Sequence, residues 1–159
     1  MGAYDDLDPR FREWARELVS LAERFGMRPR VTSTRRSIQT QIALWDKRQR
    51  VLSGQLPFST QPFPVAPPGT SQHELGLAID VVVHPEGSQR VLGDVWTGWG
   101  GRWGGAGDPI HYGAGPRQLM SSPRGVPVQA PVRVAEVAPA VARRESVENL
   151  CKCRICACR

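Results

Sequence analysis

Residues 71–83 read Ser-Gln-His-Glu-Leu-Gly-Leu-Ala-Ile-Asp-Val-Val-Val, and the second half of that stretch decides the fold. From Leu77 onward, Leu77, Ile79, Val81 and Val83 fall on one face, and Ala78, Asp80 and Val82 on the other. That period of two, rich in β-branched side chains, predicts a core strand. The strand carries one carboxylate. An unpaired buried carboxylate is costly, so Asp80 calls for a charged partner or a metal. The apolar run LGLAIDVVV is too short to span a membrane, and no longer one occurs.

Upstream, Phe11, Trp14, Ala15, Leu18, Leu21, Ala22 and Phe25 recur at helical spacing. Asp8 caps that helix, Pro9 takes its first position and Gly26 closes it. Arg30 to Thr34 predicts a short strand, and a second helix starts near Ser37, runs through Ile38, Gln41, Leu44 and Trp45, and ends before Gly54. Five prolines between residues 53 and 72 predict an irregular connection of the kind that often carries function. Beyond the core strand, Ser88 to Val95 predicts a short helix, WTGWGGRWGGAGD a loop, and Pro109 to Tyr112 another strand. The tryptophans 96, 99 and 103 could line a substrate groove or pack the loop onto the sheet, the latter being the better reading for Trp103.

The 159 residues suit one modest domain, expected to act as a monomer. Residues 1–116 hold 13 basic and 12 acidic groups, a net +1, whereas residues 117–159 hold 8 and 3, a net +5. A nucleic-acid protein would carry its charge as a patch on the folded body, so no nucleic-acid partner is expected. The basic tail could instead seek anionic cell-wall polymers or a membrane surface. After Tyr112 no aromatic residue follows, and prolines interrupt a Val/Ala-rich sequence that cannot build a core. The expected organisation is therefore a folded domain over 1–116, a Pro/Val/Ala-rich linker over 117–142 and a basic Cys-bearing, disordered tail over 143–159. All four cysteines (Cys151, Cys153, Cys156 and Cys158) lie in that tail, so the body folds without disulfides and fits a reducing cytoplasm. Their spacing is not that of a structural zinc finger. The acidic start MGAYDDLDPR is no secretory signal.

Three side chains suit a catalytic zinc site: His73 just before the core strand, Asp80 on it, and His111 on the strand after the glycine-rich stretch. HELGL is not the helical zinc motif, because Leu77 stands where a second His would be needed. Three histidines in a chain of this length is ordinary, and a lone His73 or His111 is more often a surface or satisfied polar residue. His84, before Pro85, reads as a solvated loop residue.

Ser71-Gln72-His73-Glu74-Leu75-Gly76-Leu77-Ala78-Ile79-Asp80 resembles the S-x-H-x-x-G-x-A-x-D signature of the zinc D-Ala-D-Ala carboxypeptidases and the related phage L-alanyl-D-glutamate endopeptidases, with every fixed position matched. Gly100-Gly101-Arg102-Trp103 followed by Asp108-Pro109-Ile110-His111 is similar to that family's second block. Ser33-Thr34-Arg35-Arg36-Ser37 with Gln41 and Leu44 resembles its S-G-x-R-S block, Thr34 standing for the usual Gly. The resemblance implies an α+β fold of the Hedgehog/DD-peptidase type, a small antiparallel sheet with helices packed on it. It implies Zn2+ held by His73, Asp80 and His111, Asp108 as general base, and Arg36 in contact with the substrate together with Gln41. Arg35 would then point away from the site, and Ser71 would orient the substrate or a ligand, or be a plain turn serine.

The implied activity is hydrolysis of peptidoglycan stem peptides. The D-x-x-H form is closer to the endopeptidase branch, which favours an endolysin-type L-alanyl-D-glutamate endopeptidase. The expected setting is synthesis in the cytoplasm without a signal peptide and action on the wall after release or holin-type export. A D,D-carboxypeptidase is the enzymatic alternative. A non-catalytic wall-binding module is a third, against which Asp108 argues, since a module that only binds has no use for a base beside the metal.

Overall fold

A computed structural model describes residues 4–85 and 87–123. The tail over 143–159, most of the linker over 117–142 and Glu86 lie outside the described residues. Helix α1 (Pro9–Arg24) turns Phe11, Trp14, Ala15, Leu18, Leu21 and Ala22 inward, all 1% exposed or less. It is capped by Asp8, whose carboxylate accepts from the Arg10 N–H. The predicted strands appear as β1 (Arg28–Ser33) and β2 (Ala78–His84). Helix α2 (Ile38–Leu52) is capped by Ser37, and a single 3-10 turn, Phe58–Thr60, interrupts the proline-rich connection.

Helix α3 (Ser88–Gly98), β3 (Arg102–Trp103), a 3-10 turn at Gly105–Gly107, β4 (His111–Gly113) and α4 (Pro116–Met120) complete the order. The sheet runs β1-β2-β4-β3 and every pairing is antiparallel. An α+β architecture with helices on a small antiparallel sheet is thus what the chain adopts. Pro29, which lacks an N–H, is tolerated because β1 is an edge strand. Ile79, Val81 and Val83 of β2 join α1 in the core, as the alternation predicts, and Asp80 points to the other face.

The stretch after α3 differs from the expected loop. The helix continues through Gly98 because Leu92 and Trp96, four apart, both bury against the core, and that packing outweighs the poor helix propensity of Gly93 and Gly98. Trp96 and Trp99 are core residues, 0% and 5% exposed, and line no groove. The indole of Trp96 donates to Gly113 O at 2.9 Å and that of Trp103 to Pro109 O at 2.8 Å. Gly101 is glycine because a Cβ there would collide with the Trp96 indole. The last strand starts at His111 rather than Pro109. The Asp108 carbonyl first accepts the His111 N–H in a turn at 3.1 Å, so pairing begins later.

Past residue 116, where the sequence reading ends the folded domain, α4 still packs against α1. Gln118 is 0% exposed, donating to Trp99 O at 3.0 Å, and Trp14 donates to Ser121 O at 2.7 Å. Helix α2 contributes nothing to the central core cluster. Its Ile38 and Ile42 are exposed, and Gln41 is buried instead, against the proline-rich connection.

Replacing the α1 cap, Asp8→Ala, is expected to cost about 1 kcal/mol, read as a lower urea midpoint at unchanged slope. The Arg10 side-chain hydrogen bond holds the Asp8 carboxyl below its ordinary value. Its stabilising share is therefore full above the ordinary aspartate pKa of about 3.9 and fades as pH falls through the lowered value. Wild type and variant should converge in acid.

Candidate metal centre

Asp80 sits where three strands meet: it pairs with His111 of β4 on one side and with Ser33 of β1 on the other, after a register shift between Val31 and Ser33. The second imidazole, His73, arrives from a tight turn rather than a strand. Residues 71–76 fold back so that Gly76 N–H meets His73 O at 3.1 Å and Leu77 N–H meets Gln72 O at 2.8 Å. Gly76 turns the chain with φ +68°, and a Cβ there would lie 2.9 Å from Asp8 N. The Glu74 carboxylate accepts from Gly69 N–H and Ser71 N–H, which fixes the turn.

His73 Nε2 lies 3.1 Å from Asp80 Oδ1 and 3.2 Å from His111 Nδ1, and His111 Nδ1 lies 3.2 Å from the same carboxylate oxygen. The ligand atoms of a tetrahedral zinc with bonds of about 2.0–2.1 Å stand about 3.3 Å apart. The three atoms form one face of such a tetrahedron. Hydrogen bonding favours the same conclusion. His73 Nδ1 is 2.6 Å from the Thr34 carbonyl, which can only accept, so the ring's proton is there. In the neutral ring Nε2 is then a bare lone pair aimed at a carboxylate oxygen and a second imidazole, an arrangement that needs a cation between them. His73 and Asp80 are buried and His111 is partly so. The donor set of two imidazoles and one carboxylate fits zinc.

Burial pushes the Asp80 carboxyl up, but the imidazoles of His111 and His73 against it and the charge of Arg36 outweigh that. The group is held well below the ordinary carboxylate range and stays an anion. Arg36 binds the second oxygen of Asp80 through Nη2 and the Ser33 hydroxyl through Nε at 3.0 Å, which orients the carboxylate from behind. Arg35 does point elsewhere, to Glu74 O at 3.2 Å, and is exposed. His84 is exposed, as the sequence predicts.

Above the triad opens a pocket of about 490 Å³, into which Arg36, Gln41, Ser71, His73, Asp80, Asp108 and His111 all contribute. Burial pushes the Asp108 carboxyl up. Ser71 is buried at the pocket wall, and Gln41 donates to Ala66 O at 2.7 Å while its own side-chain oxygen is buried without a partner among the described residues. Sequence reasoning did not find the opposite wall. Gln61, Phe63, Pro64, Val65 and Ala66 form it, held by Gln41 and by Arg48, which donates to Gln61 O at 2.8 Å. The density of prolines there was its only sequence signal. Gln72 and Arg102 also reach the pocket.

The family model of the VanY D-alanyl-D-alanine carboxypeptidases matches residues 5–97, more than half of the chain. The chain belongs to the VanY family. The match takes in Arg36, His73 and Asp80 but stops short of Asp108, which follows the 3-10 turn at Gly105–Gly107, and of His111 on β4. Two solved structures share the fold. A mutant of the vancomycin-resistance D,D-pentapeptidase VanY from a VanB-type resistance cassette, in complex with Zn(II), is 24% identical with a TM-score of 0.53, over 68% of this chain and 72% of that one. VanYB in complex with D-alanine-D-alanine is 24% identical with a TM-score of 0.55, over 71% of this chain and 74% of that one. No curated protein matches the VanY-family chain by sequence.

With the four cysteines alkylated, the full chain should carry one equivalent of metal, and His73→Ala and His111→Ala should each carry almost none, measured by mass spectrometry of the elements. Chelation should also lower the thermal midpoint of the wild type, since a ligand that binds only the folded state adds about 2.7 kcal/mol at a hundred times its Kd.

Proposed function

We propose that the protein is a zinc-dependent carboxypeptidase that removes the terminal D-alanine from peptidoglycan stem peptides. One observation carries the reading: two imidazoles and an anionic carboxylate converge within 3.2 Å at the floor of a pocket that also holds a second carboxyl, Asp108. Membership of the VanY family supports the substrate class, and VanYB's complex with D-alanine-D-alanine agrees with it. A zinc ion bound by His73, Asp80 and His111 supplies Lewis acidity and a water acidified toward neutrality.

Asp108 is the general base. Its carboxyl makes no hydrogen bond among the described residues and is pushed up by burial, which suits a group that takes a proton from water and returns it to the leaving amine. Arg36 keeps Asp80 charged and oriented and borders the substrate. Gln41 offers its unpartnered oxygen to a substrate N–H, and Ser71 a hydroxyl at the wall. The basic chain beyond α4, a net +4 over residues 121–159 (7 basic, 3 acidic), raises the local concentration of enzyme at anionic wall polymer.

A second reading, the L-alanyl-D-glutamate endopeptidase, rests on the Asp108-Pro109-Ile110-His111 spacing alone. Digestion of purified peptidoglycan separates the two. Free D-alanine without loss of turbidity supports the carboxypeptidase, and cleavage after L-alanine with loss of turbidity supports the endopeptidase. Asp108→Asn should keep metal and fold while turnover falls by roughly 10²–10⁴-fold. Full activity in that variant would remove Asp108 as the base. Activity on whole walls should fall as salt rises, while activity on a short soluble peptide should not.

A further inference from the structure

Two guanidinium groups line the pocket, Arg36 and Arg102. Arg36 is engaged by Asp80 and Ser33. Arg102 is exposed, and its side chain has neither a hydrogen bond nor an ion pair among the described residues. Its direction follows from the sheet. Trp103 stacks on Gly93 of α3 and pairs with Tyr112, both on the core face, so the alternation turns Arg102 to the face that carries Asp80 and His111. There it stands opposite Gly113, two residues along β4 from His111 and therefore about 7 Å from the ligand row. Arg28 and Arg30 on β1 are exposed too, yet neither borders the pocket.

We infer that Arg102 receives a carboxylate of the peptide substrate. The inference rests on the carboxypeptidase reading, because a peptide cut beside its C-terminus always presents a carboxylate one residue from the scissile bond. One residue of extended chain covers about 3.3–3.6 Å and a charge-assisted hydrogen bond about 2.8 Å, a span of the same order as the offset of Arg102 from the metal ligands. The guanidinium fork suits a planar carboxylate, and with Arg36 occupied, Arg102 is the pocket cation that has both donors and charge to offer. A stem peptide can present two such groups, the C-terminal carboxylate and the acidic carboxylate of an upstream residue.

The test compares Arg102→Gln, Arg102→Lys and the surface control Arg90→Gln with the wild type. One substrate is an N-blocked tripeptide ending in D-Ala-D-Ala whose only carboxylate is terminal, and the other is a pentapeptide that adds an upstream D-glutamate. Arg102→Gln should raise KM roughly ten- to hundredfold at nearly unchanged kcat, and Arg102→Lys should recover part of it. Arg90→Gln should change neither. A loss on both substrates identifies the terminal carboxylate, and a loss confined to the pentapeptide identifies the upstream one. Unchanged KM on both, or a fall in kcat alone, overturns the inference while leaving the carboxypeptidase reading standing. A wild type that releases no D-alanine from either peptide overturns that reading and the inference with it.

Discussion

A single anion inside the central strand organises this molecule. Asp80 lies on the strand that both neighbours pair with, so its carboxylate is reached from β1, from β4 and from the turn that precedes it. Burying such a charge is tolerable only if it is surrounded by partners. Arg36 takes one oxygen, and His73 and His111 converge on the other. The same demand that keeps the carboxylate from destabilising the fold therefore gathers the side chains of the candidate metal centre. Stability and chemistry share one constraint, and the hydrophobic face of β2, with Ile79, Val81 and Val83 against α1, holds that constraint in place.

Much of this was legible because local patterns and the tertiary structure agree. The alternation of residues 77–83 marked the strand and its odd carboxylate, and the Asp8-Pro9 start with an apolar stripe marked α1. His73, Asp80 and His111 stood out by chemistry, and three quoted blocks tied them to a family that the model match then bore out. Where reading failed, tertiary packing had overridden a local signal. Glycines suggested a loop over residues 96–108, but the indoles of Trp96 and Trp103 need glycine neighbours to lie against, so the same residues serve a helix and a strand.

Helix α2 follows a different rule. Its Ile38 and Ile42 are exposed, and Gln41 is the side chain at 1% exposure. Hydrogen bonding to Ala66, not apolar burial, decides which way that helix faces. Period counts see only apolar faces and miss a helix whose task is to hold a loop by polar contacts. The pocket wall was unreadable for the same reason, since residues 61–66 are fixed by donors that lie far upstream, Gln41 and Arg48.

That arrangement separates two jobs that many sites merge. The floor of the pocket is welded to the core strands, so almost any change there disturbs the fold. The wall hangs from two side chains on a helix that stands apart from the core cluster. Insertions, deletions or swapped residues between Gln55 and Thr70 can reshape what enters the pocket while the ligand geometry below stays as it is. In a lineage diversifying its substrates, variation should collect in that span and spare β2 and β4, and an engineer seeking a new peptide preference would begin there.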